Sequence, residues 1–145
     1  MATYTKYEVF TEDLANGTHD LFGTAGSGAN TLKVMLSNSA PNVATHAIRS
    51  QVTELSTAGG YTSGGQSVAN VGTRSGGVLT VVATDVVWTA TGSGFTARYA
   101  ILYNDTPTSP LDPLIAYWDY GVGGVTLLDT ETLTIDFGAT LLTIT

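Results

Sequence analysis

The stretch Trp88–Tyr120, WTATGSGFTARYAILYNDTPTSPLDPLIAYWDY, decides the fold. It reads as strand, tight turn, strand, loop, strand. In the run that opens at Phe95, the side chains of Phe95, Ala97, Tyr99, Ile101 and Tyr103 fall on one face, and those of Thr96, Arg98, Ala100 and Leu102 fall on the other. Both faces are largely apolar, as expected of a central strand in a sandwich. Pro107, Pro110 and Pro113 stiffen the loop that follows. Such a segment is a β-structured building block with little room for a catalytic constellation.

Moving outward from it, the same alternation predicts strands over about Val68–Ser75, Val78–Ala83, Val86–Thr91, Phe95–Asn104 and Leu114–Tyr120, then near Leu127, over Leu133–Phe137 and over Leu141–Ile144. Upstream, Leu32, Val34 and Leu36 alternate with Thr31, Lys33 and Met35, a mostly buried strand. No helical pattern separates the later strands, which argues for an antiparallel sandwich over βαβ units. The last strand is expected to be tied into a sheet or donated to a neighbour.

Helices are expected only in the first third. Tyr7, Phe10 and Leu14 fall at helical spacing, with Gly17 as C-cap, predicting a short helix over Lys6–Asn16. A second helix is predicted over Val43–Leu55, with Asn42 as N-cap and Ala47, Ile48, Val52 and Leu55 as its buried stripe. Gly23–Asn30 and Ala58–Gln66 (AGGYTSGGQ) read as Gly-rich loops; the second lacks the Lys-Ser/Thr of a phosphate cradle. The fold is therefore mainly β: a sandwich of about seven or eight antiparallel strands with one or two short helices. It forms a single domain over residues 1–145, with an arm, helix and Gly-rich loop in 1–30 and the sandwich in 31–145.

Composition narrows the function. Charged residues are 12% of the 145, about half the usual ~25%, and Thr outnumbers even the 17 glycines. That bias suits pleated strands and turns. A hydrophobic fraction of 43% means the chain can fold, and its sparsely charged surface invites association. The net charge is −7 and the five basic residues, Lys6, Lys33, Arg49, Arg74 and Arg98, are scattered, so direct nucleic-acid binding is not expected. Without Cys there are no disulfides or thiolate metal sites. No secretory leader and no apolar run of ~20 residues is visible, so no membrane partner is expected and synthesis in a host cytoplasm is.

Chemistry-bearing residues are few. His19 and His46 stand alone, without metal-ligand spacing, and read as capping or packing residues. No GxSxG elbow is present. Asp112, Asp119, Asp129, Glu131 and Asp136 could supply a carboxylate pair, yet each reads first as a turn or edge residue, and the Asp129–Glu131 run is too sparse for calcium. No catalytic, cofactor or metal residue is assigned. Trp88, Trp118, Tyr117, Tyr120 and Tyr61 could form a sugar-stacking platform, but Tyr117, Trp118 and Tyr120 span both faces of their strand, so part of the set is core. Tyr61, Trp118 and Tyr120 are the candidate interface aromatics.

Several blocks resemble a family of small structural proteins of tailed bacteriophages and prophages. They are FTEDLANGTHDL (Phe10–Leu21), TLKVMLSNSAP (Thr31–Pro41), VTELSTAGGYTSGGQ (Val52–Gln66), DVVWTATGSGFTARYAILYNDT (Asp85–Thr106) and PLIAYWDYG (Pro113–Gly121). The resemblance covers about Phe10–Phe137, and YAILYNDT and GGYTSGG are its most specific parts. It implies a virion component with no catalytic residues to carry over. The leading expectation is a capsid cement or decoration protein, a homotrimer on the outside of the head that binds the major capsid protein. The alternatives are a tail, fibre or receptor glycan-binding component, and a small glycan-active enzyme.

Overall fold

The structure, a computed structural model, describes residues 2–145. In chain order the elements are β1 (Thr3–Lys6), α1 (Val9–Ala15), β2 (Gly23–Ala25), β3 (Gly28–Ala29), β4 (Leu32–Ser37), β5 (Gln66–Val68), β6 (Asn70–Ser75) and β7 (Val78–Ala83). They continue with β8 (Val86–Thr89), β9 (Phe95–Ala97), β10 (Tyr99–Asn104), β11 (Leu114–Asp119), β12 (Val125–Leu127), β13 (Thr132–Ile135) and β14 (Leu142–Ile144). Two five-stranded sheets, β1-β11-β10-β4-β5 and β14-β7-β6-β2-β3, carry the sandwich, and β12-β9 and β13-β8 add two short ladders. All pairings are antiparallel except β2 with β3.

The mainly β sandwich expected from the sequence is thus what forms, in more and shorter strands. Residue 30 is not a boundary, however. β1 is the edge strand beside β11, and β2 and β3 extend the other sheet, so the first thirty residues belong to both layers.

Strand β10 is buried along its whole length, flanked by β11 and β4. Ala100 and Leu102 face the main core, which Val34, Leu36, Val81, Trp88, Ile115 and Ile135 fill. Tyr99, Ile101 and Tyr103 face the opposite way, into a second cluster with Tyr7, Met35, Val52 and Leu114. The residues around Val52 and the start of α1 therefore act as a partial third layer over the outer face of this sheet.

The predicted continuous strand Phe95–Asn104 is broken at Arg98. Ala97 and Phe95 pack with the main core, whereas Tyr99 packs with the second cluster, so two residues two apart face opposite ways. The chain changes ladders there, from β12 to the five-stranded sheet. Arg98 holds the corner: its N–H donates to Ser37 O at 3.1 Å and its carbonyl accepts the Tyr120 N–H at 2.9 Å.

The first predicted helix is present as α1, shorter at its start, and Gly17 ends it at φ 73° with its N–H on Leu14 O. The second is not. Asn42 Oδ1 does accept the Ala44 and Thr45 N–H groups, but the turn stops after one round, and only a 3₁₀ turn follows at Arg49–Gln51. Val43, Thr45, Ile48, Val52 and Thr53 are β-branched and weak helix formers. Tertiary hydrogen bonds win over that weak preference: Leu114 N–H donates to Ala47 O at 2.9 Å, Arg49 N–H to Asp112 O at 2.9 Å, and Leu55 N–H to Leu36 O at 2.9 Å.

Candidate functional site

Tyr61 is not an interface residue. It is 1% exposed, packed between Trp88 and Phe95 with ring centroids 6.1 and 6.2 Å away. Its hydroxyl donates to Glu54 Oε1 at 2.6 Å and accepts the Leu36 N–H at 3.1 Å. Glu54 also receives the Gly64 N–H and, at 2.7 Å, the Arg49 guanidinium. Burial pushes the Glu54 carboxyl up, but the bonds from Tyr61, Arg49 and Gly64 outweigh it and hold it below the usual carboxylate range. The physical reason for the correction is local: β5 pairs with β4 only as far as Val34, and the phenol takes over at Leu36 where the ladder ends.

Trp118 and Tyr120 do come together, at an open side of the sandwich. The five-stranded sheets end there in β1 and β14, each paired on one side only. Between them lies a groove of about 570 Å³ lined by Tyr4, Lys6, Trp118, Phe137 and the Thr140–Thr143 segment. A continuation of about 460 Å³ shares Tyr4, Trp118 and Phe137 and adds Tyr120 and Asp136. Trp118, 9% exposed, is the last core side chain before solvent. Its ring lies 5.5 Å from Tyr4, edge-on, and 5.5 Å from Phe137. Hemmed on both sides, it offers no free face to a sugar ring; Tyr4, 43% exposed, is the accessible aromatic. Tyr120 is half-buried, and its hydroxyl is held above the ordinary phenol range first by burial and then by Asp136.

Sequence reasoning missed Tyr4 and Phe137. The available signal was the alternation Thr3-Tyr4-Thr5-Lys6, a short strand pattern that runs up to the residue where the predicted helix begins. Tyr4 sits opposite Trp118 in register, and Lys6, two residues on, lines the groove with it. An inward charge of this kind protects a strand edge from uncontrolled pairing. The opposite wall has no such guard: Ala139–Thr145, ATLLTIT, has no charged side chain.

The five acidic candidates are dispersed in turn and corner roles. Asp112 binds Arg49 at 3.4 Å, and Asp119 takes Arg98 in a two-pronged contact at 2.9 and 3.0 Å. Asp129 accepts the Gly92 N–H, Glu131 the Leu128 N–H and Asp136 the Gly138 N–H. Among the described residues no three His, Asp or Glu side chains cluster in a way that could hold a metal ion.

His46 closes the Asn42 turn, its Nδ1 accepting the Asn42 N–H at 3.2 Å. His19 is buried, with Asn104 Nδ2 on its Nδ1 at 3.0 Å; that contact makes Nδ1 the acceptor and leaves the proton on Nε2. Nε2 faces Asp13 Oδ2 at 3.8 Å, too long for a hydrogen bond, and both atoms are otherwise unpartnered. Burial pushes the imidazole down to about 4 and raises the Asp13 carboxyl, which Glu12 raises further. Asn104 in turn donates to Asn30 Oδ1 at 2.7 Å, so this polar cluster joins the end of α1 to β10.

The geometry defines a small β-sandwich with one side left open between two strand edges. The chain matches no protein-family model, no curated protein and no solved structure.

Proposed function

We propose that the chain is a structural component of a tailed-phage particle that works by docking on other protein, stationed on the outside of the head, where it cements contacts between major capsid subunits. One observation carries the docking part. Two unpaired strand edges flank an aromatic groove, and the core reaches solvent there through Trp118 and Phe137. Unpaired backbone with an apolar floor between is what an incoming protein segment can satisfy, by main-chain pairing and side-chain burial together.

The charges support the same reading. Lys33 pairs with Asp105, Arg49 with Glu54 and Asp112, and Arg98 with Asp119, so three of the five basic residues are already neutralised within the chain. What is left suits a protein partner better than a phosphate backbone. The resemblance of the Phe10–Phe137 blocks to virion proteins supports a place in the particle, and a small acidic sandwich without Cys, rich in Thr and Gly, suits the head surface. Many copies bound to one shell would each add a modest apolar contact, at ~25 cal/mol per Å² before ordering costs, and the sum resists internal pressure.

The test is stoichiometry in purified virions by quantitative mass spectrometry. A cement protein is present in a fixed, high ratio to the shell protein. A few copies per particle would instead place it in the tail and end the head assignment.

A further inference from the structure

We infer that the open side is where two copies of this chain meet, across a two-fold axis passing close to Tyr4 and Trp118. The inference rests on the reading above that the groove takes protein, and it makes the occupant a second copy of this chain, so that the pair meets the shell through its remaining surface.

The layout of the groove is self-complementary. Tyr4, Trp118 and Phe137 form its shared centre; Lys6 lies in one half and Asp136 in the other. Strand β1 runs along it from the Ala2 end, beside Asp136, to the Lys6 end, beside Thr140–Thr143. A two-fold axis through the centre exchanges the halves. It sets Lys6 of one copy against the partner's Asp136, and the same pair forms again on the other side, as an isologous contact requires.

Both charges are free to make that pair. Among the described residues Lys6 and Asp136 enter no ion pair: Lys6 Nζ donates to the Thr11 hydroxyl at 2.6 Å, and Asp136 Oδ1 accepts the Gly138 N–H at 2.7 Å. Lys6 is the less usual of the two, in a chain whose other basic side chains are, Arg74 excepted, paired with carboxylates.

Net charge restricts where copies can approach. At −7, two chains repel through most of their surfaces. The open side is different: a lysine at one end, an aspartate at the other, and along it Tyr4 together with Thr140–Thr143, which has no charged side chain. The free edges of β1 and β14 in both copies face each other in this arrangement, four at once, and Tyr4 supplies an exposed aromatic anchor. The pairing is two-fold, where the sequence by itself suggested a trimer. On a shell, such a pair would bridge two equivalent positions.

Sedimentation velocity and light scattering on the purified chain test this. The expected mass is twice 15.0 kDa, about 30 kDa, in concentration-dependent exchange with monomer. Lys6→Glu or Asp136→Lys alone sets like charges opposite each other twice and weakens the pair by about tenfold or more. The two substitutions in one chain exchange the signs and restore it, with circular dichroism confirming an unchanged fold throughout. A monomer at every concentration, a trimer, or a dimer indifferent to the single reversals overturns the inference, as does a double variant no stronger than the singles. A monomer that still binds heads overturns the pair and leaves the docking reading standing; a charge-dependent pair that binds no head does the reverse.

Discussion

The Tyr61 hydroxyl bridges Glu54 Oε1 at 2.6 Å and the Leu36 N–H at 3.1 Å, so one phenol stands in for the strand that β4 lacks beyond Val34. The Leu36 carbonyl is met from the same loop by the Leu55 N–H at 2.9 Å. Arg49 completes the arrangement, with its guanidinium on Glu54 and 5.2 Å above the Tyr103 ring.

Tyr61→Phe keeps the ring and deletes the bridge. It leaves a buried N–H and one carboxylate oxygen short of a donor, and hydrogen bonds to charged groups contribute about 1.5–3 kcal/mol. Urea unfolding should show a loss in that range with an unchanged m value. A loss below a few tenths of a kcal/mol contradicts the bridging role.

Gly65 sits at φ 67°, and a Cβ there would run into the Val34 carbonyl. Gly76 has a similar φ of 55° but open space around it. Gly76→Ala should cost about 1–2 kcal/mol, the left-handed penalty alone. Gly65→Ala should cost clearly more, because backbone must shift as well. Equal losses in thermal unfolding would show that the close approach to β4 carries no weight.

His19 makes stability depend on pH. Its folded value of about 4 lies below the ordinary 6.5, so the unfolded chain binds the extra proton and stability falls as pH drops from 6.5 towards 4. The full loss is bounded at about 3 kcal/mol by the size of that shift. Asp13, whose carboxyl is raised, works in the opposite direction, since its contribution is lost as pH rises through its folded value. In an Asp13→Asn background, His19→Gln should therefore flatten the slope between pH 6.5 and 4; an unaltered slope assigns it to other groups.

Arg98 spans both oxygens of Asp119, with Nε at 2.9 Å and Nη2 at 3.0 Å, while Asp119 Oδ1 also accepts the Gly121 N–H at 2.8 Å. A lysine cannot make the two-pronged contact. Arg98→Lys should thus lower the melting temperature nearly as far as Arg98→Ala. Full rescue by lysine would mean that charge alone, without geometry, holds the corner.

The fold was legible wherever a short apolar run stood between turn residues. Leu32–Leu36 is apolar but for Lys33, Tyr99–Tyr103 and Leu114–Trp118 are apolar throughout, and each lies in a sheet with both faces covered. The break at Arg98 was not legible, since a corner that switches ladders leaves the period-two pattern intact on either side. The lost helix at Val43–Leu55 failed for a related reason: its apolar spacing is helical, but the bonds that override it come from Asp112, Leu114 and Leu36, distant in sequence. Of the interface aromatics, Trp118 and Tyr120 reached the groove, while Tyr61 turned inward because a Gly-rich loop places no constraint on which way its one large side chain points. Tyr4 was overlooked because a four-residue edge strand is too short to announce itself.

Binding of the purified chain to expanded heads that lack it measures the central claim most directly. Co-sedimentation should show saturable uptake in a fixed ratio to shell protein, a rise in the heads' thermal resistance, and a clear loss of both when groove variants at Tyr4 and Lys6 are used, because a separated pair holds the shell at one point instead of two. Heads that take up none of the chain, or that bind the groove variants as well as the parent, would contradict it.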